Sequence, residues 1–430
     1  MLENVRPQLL AALADDGSEE AFWARVGRTG TPTVEAIPGG RCRVTFLWRE
    51  TGSDAEGGIE RVYMDVNSVT NHHAAVLPVM ERLPGTGIWF WAVEVSGEWR
   101  GSYSYIPATA DLVREVDPPE AGLQDTSRRA RWIALLQHAR HDPFNPVRAG
   151  LKSGLAMPGA PLQRWWDDPA PTSVTAGNTH ELPWDSGLLG RTRTVWVHET
   201  PHDADTDKAD RPLVILLDGQ HWVHQMPAAR VFDAAVAEGE LPAAVIVAID
   251  VLNGAVRSEE LPCNSTFWDA ILTELLPLVE TVAAFTKNPR RTVVAGQSFG
   301  GLAALFAALE HPERFGLVAS QSGSFWWPVP YTSPVPGSPG GDIAERIART
   351  TFEHPPVVRL QAGLHEGDMV LHSRTVHERL IAAGVESSFE VFDGGHDWLC
   401  WRGGLVDSTI DLLNTASVPT GTPRPEPVRA

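Results

Sequence analysis

The sequence predicts an α/β catalytic domain, built on a mostly parallel sheet with helices on both faces, preceded by a smaller all-β domain. Three observations predict it. After about residue 191, continuous apolar runs such as RPLVILLDG, PAAVIVAID and RRTVVAGQS alternate with segments of helical spacing, the pattern of strands buried on both faces. Between about residues 32 and 108, the chain carries short β-branched and aromatic segments separated by Gly, Pro, Asn and Asp, which reads as antiparallel sheet. Finally, Gly296-Gln297-Ser298-Phe299-Gly300 falls between a buried-strand run and an Ala/Leu-rich helical run. At 430 residues the chain exceeds what one core holds, so two domains are expected.

The elements follow in order. MLENVRPQLLAALADDGSEE spaces its Leu and Ala as an amphipathic helix. RCRVTFLWRE, RVYMDVNSV, GIWFWAVEV and RGSYSYIPA read as strands of a small sandwich, so residues 1–120 form the N-terminal domain. Residues 121–190 are rich in Pro, Asp and Gly and read as a linker, with DTSRRARWIALLQHA its best helix. Residues 191–415 form the catalytic domain. RTVWVHET and the three runs above are its first strands, FWDAILTELLPLVETVAAF and FGGLAALFAALEHPERF are helices, and GLVASQSGS and PPVVRLQAG are further strands. SRTVHERLIAAG and SSFEVFDGG close it as a helix and a strand. Residues 416–430, ending TGTPRPEPVRA, read as a disordered tail.

Composition excludes several function classes. The formal net charge of −19 argues against a nucleic-acid or anionic-membrane partner. An anionic substrate would need a local positive patch against that field. Three cysteines, Cys42, Cys263 and Cys400, make no disulfide framework and suit a reducing compartment. The N-terminus lacks the pattern of a secretory signal, and no apolar run reaches the ~18 residues of a membrane span. A cytoplasmic location is therefore expected. No metal-like Cys or His spacing is present, so no catalytic metal or cofactor is expected. Sixteen Trp against four Tyr is unusual. Trp most often fills cores, and it also lines pockets for flat rings.

The G-x-S-x-G string in its strand–helix context reads as the nucleophile elbow of an α/β-hydrolase-type fold. The glycines let the turn tighten, and Ser298 is the nucleophile, with the Phe299 N–H aimed at an oxyanion. A serine needs a base to take its proton. His396, in the Gly-rich loop FDGGHDW after the last strand, is the best placed, ahead of His221 and His365. The orienting acid belongs after PPVVRLQAG, where Glu366 is the first choice and Asp368 the second. Asp393 and Asp397 beside the histidine read as surface or loop-capping groups, and a dyad without an acid stays open. A second oxyanion donor belongs to the loop after the first central strand, which ends at Leu217 in ILLDGQHW, at the backbone N–H of Gly219 or Gln220; a plain Asp-Gly turn is the other reading. Arg257 and Glu260 of RSEELPCN lie in the loop after AVIVAID. There an arginine can bind an anion or close the loop as an ion pair.

The strings LLDGQHW, RSEELPCN, VVAGQSFGGLAAL, HPERFG, SQSGSFWW and GGHDWLCWRGGL, in that order, resemble the cytoplasmic enterochelin (enterobactin) esterases. VTFLWRE, YMDVNSVT, ERLPGTGIWFWAVEV, WRGSYSYIPA and DPFNP are similar to the β-rich N-terminal domain of that family. The resemblance implies a serine esterase that cleaves the trilactone of ferric tricatecholate siderophores, freeing dihydroxybenzoyl-serine units and making iron releasable. It implies Ser298 and His396 as nucleophile and base, and Arg257 as a substrate contact. Trp222, Trp326, Trp327 and Arg402 lie in matching strings as candidates to face the catechol rings. Iron would enter only as part of the substrate. A general carboxylesterase or acyltransferase is the alternative within the enzyme class. A siderophore-binding protein on a hydrolase scaffold is the alternative outside it. The sequence is silent on oligomeric state.

Overall fold

The computed structural model describes residues 4–51, 58–72, 74, 76–116, 125–167, 174–204, 206–329 and 337–416. The chain forms two units, Met1–Pro161 with Asp393–Cys400, and Leu162–Phe392 with Trp401–Ala430.

The first unit opens with α1 (Val5–Asp16) and α2 (Glu19–Thr29). The Ser18 hydroxyl caps α2 by accepting from the Ala21 N–H, and Glu19 and Glu20 sit in its first turn, where negative charge is favoured. There follow β1 (Thr33–Ile37), β2 (Arg41–Arg49), β3 (Ile59–Val66), β4 (Glu81–Arg82), β5 (Ile88–Ser96) and β6 (Arg100–Thr109). Then come α3 (Ala110–Val116), α4 (Asp125–Leu136), β7 (Arg148–Ala149) and β8 (Lys152–Ala156). The strands make two four-stranded sheets, β1-β2-β5-β4 and β3-β6-β8-β7, antiparallel throughout. Period-2 alternation assigns the faces. Val44, Phe46 and Trp48 of β2 meet Val62, Met64 and Tyr103 between the sheets. Leu47 points the other way, onto Phe22 and Val26 of α2. On the far side, Val113, Trp132 and Leu135 of α3 and α4 cover Tyr63 and Ile106. The expected sandwich is present, with a helical layer on each outer face.

Asp142 pins this unit. Its buried carboxylate accepts from the Thr31 hydroxyl at 2.6 Å, the Tyr103 hydroxyl at 2.8 Å, the Tyr105 hydroxyl at 3.0 Å and the Phe144 N–H at 2.9 Å. Burial and this neighbouring charge push the Tyr105 phenol well above its ordinary value, so it stays a donor.

The second unit contains β9 (Asn178–Ser186), β10 (Arg191–Glu199), β11 (Leu213–Leu216), α5 (Ala229–Ala237), β12 (Val245–Ile249), α6 (Gly254–Glu260), α7 (Ser265–Ala270) and α8 (Leu276–Glu280). It continues with β13 (Thr292–Gln297), α9 (Phe299–Glu310), β14 (Leu317–Gln321), α10 (Gly341–Arg349), β15 (Val357–Gly363), α11 (Met369–Ala382), β16 (Glu386–Phe392) and α12 (Trp398–Ala416), whose first three residues belong to the first unit. One eight-stranded sheet runs β16-β15-β14-β13-β11-β12-β10-β9. The strands from β11 to β16 are parallel, and β10 and β9 are antiparallel. Every residue of β11, β12, β13 and β14 is buried, as expected for strands covered on both faces. This is the α/β-hydrolase-type fold anticipated from the sequence.

Two expectations need correction. Residues 121–190 carry α4, β7, β8 and β9 rather than a linker, and they divide between the units. β9 escaped notice because it is an edge strand with a mostly exposed burial pattern, and it tolerates Pro183. Arg257 and Glu260 sit on α6 and not in a loop. Its start is signalled by Asn253, whose Oδ1 accepts from the Ala255 and Val256 N–H groups. Of the expected tail, residues 417–430 lie outside the described residues.

Asp142→Ala would leave three hydroxyls and an N–H without their acceptor. Its unfolding free energy is expected to fall by about 3–5 kcal/mol, read as a lowered urea midpoint. A loss below about 1 kcal/mol would remove the pin from the account of this unit.

Candidate active site

Ser298 links β13 to α9 with φ 58° and ψ −119°. A non-glycine residue reaches that region only when its surroundings impose it. They do so here. A Cβ on Gly296 would lie 2.3 Å from the Gly300 carbonyl oxygen, and one on Gly301 would lie 2.7 Å from the Ser320 hydroxyl. The backbone can therefore bend sharply enough to lift the serine off the strand. The Ser298 N–H donates to the Gln321 carbonyl at 3.0 Å, and its Oγ lies 3.2 Å from the Ser324 Oγ.

Two helical turns begin side by side above adjacent parallel strands. Phe299 is the first residue of α9 after β13. Gly219 and Gln220 open the helical turn that follows β11 and runs into the π-turn His221–Gln225. The first N–H groups of a helix have no intrahelical acceptor and carry partial positive charge. The N–H groups of Gly219, Gln220 and Phe299 are thus the type of donors an oxyanion needs. Gly219 admits no side chain, since a Cβ there would lie 2.4 Å from the Ile249 nitrogen. The Gln220 Oε1 accepts from the Val251 N–H at 3.4 Å, which ties this turn to the end of β12.

Arg257 reaches between these two turns. Its Nε and Nη2 donate to the Asp218 carboxylate at 2.5 and 2.8 Å, and Nη2 also reaches the Gln297 carbonyl at 2.9 Å. Both readings of Arg257 anticipated a cation at a strand end; the structure gives it a carboxylate partner there. An aromatic wall flanks the serine. The Phe299 ring lies 5.5 Å from Trp326 and 6.0 Å from Trp327, and all three are half-buried. The Arg257 guanidinium lies 5.8 Å from the Phe299 ring centre.

Trp222 and Arg402 do not join this wall. Trp222 is 1% exposed and lines an apolar cavity with Trp196, Leu216 and Ile246. Arg402 is also buried, donating from Nε to the Gln163 Oε1 at 2.6 Å and from Nη2 to Asp167, with its guanidinium over Trp166. Both are turned inward, which corrects the expectation that they face catechol rings. Their strings carry Trp and Arg for packing and ion pairing.

The loop after β15 is closed by Glu366. Its Oε1 accepts from the Gly363 N–H at 2.7 Å and from the Ser322 hydroxyl at 2.6 Å, and that hydroxyl in turn accepts from Trp401 Nε1 at 2.9 Å. Asp368 stands at the start of α11 instead, where its charge faces His372. His396 belongs to the first unit and is exposed. Its loop is fastened there at four points. Arg100 N–H donates to the Asp393 carbonyl at 3.1 Å, Asn67 Nδ2 to the His396 carbonyl at 3.0 Å, and Cys400 Sγ to the Arg100 carbonyl at 3.2 Å. The buried Asp397 carboxylate accepts from the Ser102 N–H at 2.5 Å and the Leu399 N–H at 3.0 Å. Burial works against the charge of Lys152, but Asp65, at 2.6 Å, and Asp397 outweigh it and raise its pKa. His221 begins the π-turn after Gln220, and His365 precedes Glu366.

Sequence reasoning missed a side-chain ladder below the strand ends. Gln297, Gln321, Gln361 and Glu390 hold matching register positions on β13, β14, β15 and β16. Each amide Nε2 donates to the next side chain at 2.9 Å. Ser322, with φ 48°, and Ser324 follow the second rung. The only sequence signal was the polar string SQSGS at the end of a buried strand. Partial burial and the nearby Glu390 charge push Asp407 of α12 up to about 6, with Arg164 opposing.

An elbow serine on this eight-stranded sheet, beside two helix starts, defines an ester hydrolase of the α/β-hydrolase class. Residues 186–412 match the family described as putative esterase, and residues 43–166 match the enterochelin esterase N-terminal family. The chain is 42% identical over 406 residues to the iron(III) enterobactin esterase of Dickeya dadantii strain 3937, covering 92% of this chain and 93% of that protein. It is 40% identical to the iron(III) enterobactin esterase of Escherichia coli K12, covering 92% and 96%. The crystal structure of the Shigella flexneri enterobactin esterase in the presence of enterobactin superposes with a TM-score of 0.80 at 37% identity, covering 93% and 99%. The chain belongs to the iron(III) enterobactin esterase family.

Gly296→Ala is expected to displace the elbow and lower kcat/KM for ester hydrolysis by about 10²-fold, measured on folded protein. Near-native turnover would show that the close contact with Gly300 is dispensable. Asp407 gives a pH dependence of opposite sign to an ion-paired carboxylate. Because the folded state holds its proton to about pH 6, against 3.8 ordinarily, its contribution to stability declines as pH rises through that window and stays low above it. Asp407→Asn should therefore be more stable than the parent above pH 6, by less than about 1 kcal/mol at this solvent-screened site, and the gain should vanish by about pH 4. Denaturation midpoints across pH 4–8 check this.

Proposed function

We propose that the protein hydrolyses the trilactone ester bonds of ferric tricatecholate siderophores of the enterobactin kind in the cytoplasm, releasing dihydroxybenzoyl-serine units and leaving iron releasable. The observation that carries the reading is the left-handed Ser298 between the two helix starts, beside the ring wall of Phe299, Trp326 and Trp327. Near-complete mutual coverage with relatives named iron(III) enterobactin esterases supports the substrate class. Among the described residues, no helix is long and apolar enough to cross a membrane. In this reading the iron enters as part of the substrate and stays with its catecholates.

In the proposed reaction His396 takes the proton of Ser298 as Oγ attacks a serine-ester carbonyl. The Phe299 N–H and a donor from Gly219–Gln220 receive the oxyanion. The carbonyl re-forms, the C–O bond breaks, and the leaving serine alkoxide takes the proton from the imidazolium. Water then gives a proton to His396 and attacks the acyl-enzyme, freeing the acid and restoring Ser298. Glu366 is the acid assigned to orient the imidazole. Its Oε1 accepts from Ser322 and Gly363. The half-buried tryptophans offer flat faces to catechol rings.

The test is incubation of the purified protein with ferric and iron-free tricatecholate trilactone, followed by product masses. Each cleaved ester should add the mass of one water. Ser298→Ala and His396→Ala should each lower kcat by more than about 10³-fold while Ser298→Ala still binds the siderophore. Fast turnover of simple acyl esters with the trilactone left intact would replace the substrate assignment with a general carboxylesterase. Full trilactone cleavage by Ser298→Ala would end the nucleophile assignment.

A further inference from the structure

We infer that Arg257 and Asp218 act as a positioning clamp that fixes the second oxyanion donor against the nucleophile elbow. This rests on the proposed roles of Ser298 and the Gly219–Gln220 turn. A single guanidinium grips the residue immediately before each of them. Its Nε and Nη2 hold Asp218, next to Gly219, at 2.5 and 2.8 Å, and Nη2 holds the carbonyl of Gln297, next to Ser298, at 2.9 Å. The same guanidinium lies 5.8 Å from the ring of Phe299, on the other side of the serine.

The partner carboxylate is built in. The Asp218 side chain is 2% exposed, and its backbone sits at φ 57°. A left-handed aspartate next to a glycine is a turn that needs something to hold it. Across the gap, a Cβ on Gly300 would lie 3.3 Å from the Asp218 Oδ2, so the elbow helix packs directly on the clamp. The arginine is mounted rigidly as well. One turn further along α6, Glu260 pairs with both Nη atoms of Arg193 on β10 at 2.7 Å and with Arg191 at 2.9 Å, and Asn253 caps the start of the helix. The RSEE string thus divides its labour. Glu260 anchors α6 to the sheet, and Arg257 spans the two catalytic turns.

Donors to an oxyanion act only when held at hydrogen-bond distance from where the charge develops. Nothing covalent fixes the distance between the turn after β11 and the turn after β13. A forked cation bound to both does, and a lysine could not reproduce its two-pronged geometry. This assignment separates Arg257 from a plain substrate contact. A clamp changes kcat on every ester, whereas a contact to an anionic siderophore changes KM on that siderophore alone.

The test compares Arg257→Met, Arg257→Lys, Asp218→Asn, the Arg257→Met/Asp218→Asn double variant and Ser298→Ala. Substrates are uncharged p-nitrophenyl butyrate and the ferric tricatecholate trilactone, and thermal unfolding is followed in parallel. Arg257→Met and Asp218→Asn should each lower kcat about 10²-fold on both substrates with KM within about 3-fold, and the double variant should match the worse single one. Arg257→Lys should retain the fold and show an intermediate kcat; if the other variants do not fold, the kcat-against-KM split of this one decides. A rise in KM on the trilactone alone, with kcat intact, would overturn the clamp and make Arg257 a ligand contact. Multiplying single effects would also overturn it. Activity in Ser298→Ala would instead remove the reading on which the clamp rests. An inactive Ser298→Ala beside clamp variants of native kcat would remove the clamp alone.

Discussion

A serine can be kept at φ 58° only where the chain on either side gives way, and everything at this site depends on that exception. Gly296 comes so close to the Gly300 backbone that the strand could not turn there with a side chain at Gly296. The strain of one left-handed residue is of order 1–3 kcal/mol. It is offset by the surrounding order: the Ser298 N–H bonded to β14, the Ser298 carbonyl accepting from Leu302 and Ser324, and a helix packed on a wholly buried strand. The strain sets the half-buried hydroxyl above the end of β13, at the start of α9.

The elbow is exact only if its strand is. Parallel strands could slip relative to one another at little cost in apolar packing, because Val, Ala and Leu runs look alike along their length. The ladder from Gln297 to Glu390 removes that freedom. An amide in a low-dielectric interior must find partners, and a slip would break three side-chain hydrogen bonds together. The same register sets Ser298, Ser322 and Ala362 at one level, so the loop closed by Glu366 starts beside Ser322, one strand removed from the strand that presents the nucleophile. Polar residues in this core thus specify alignment.

These relations explain what could be read in the sequence. The buried strands, the elbow and the sandwich follow local rules of period and turn chemistry, so RPLVILLDG, GQSFG and the alternating aromatic segments identified them. The partners of Arg257 could not be read, since Asp218 and Gln297 are 39 and 40 residues away and meet it only through sheet order. Trp222 and Arg402 misled for a related reason. Residue type and neighbouring motif suggested a ligand, but the facing of a side chain depends on helix phase and on distant partners such as Asp167. β9 failed the periodic test because most of this edge strand is exposed, and only Trp184 and Ser186 near its end are buried.

The same distinction bears on the smaller unit. Strings such as YMDVNSVT and WRGSYSYIPA carried the resemblance without a stated purpose, and the contacts within the first unit supply one. Asn67 and Ser68 lie against the Gly395–His396 segment, where a Cβ on Gly395 would come within 2.5 Å of the Ser68 Cβ. Ser102 binds Asp397, and Lys152, held by Asp65, adds its charge to the same carboxylate. The loop that follows the last strand of the large sheet therefore owes its shape to the β-rich unit. For the base proposed here, an exposed imidazole on a Gly-rich loop would otherwise sample many orientations, each at an entropic cost to the proposed proton transfer. The fastenings run through buried charge and main-chain hydrogen bonds, which tolerate substitution poorly.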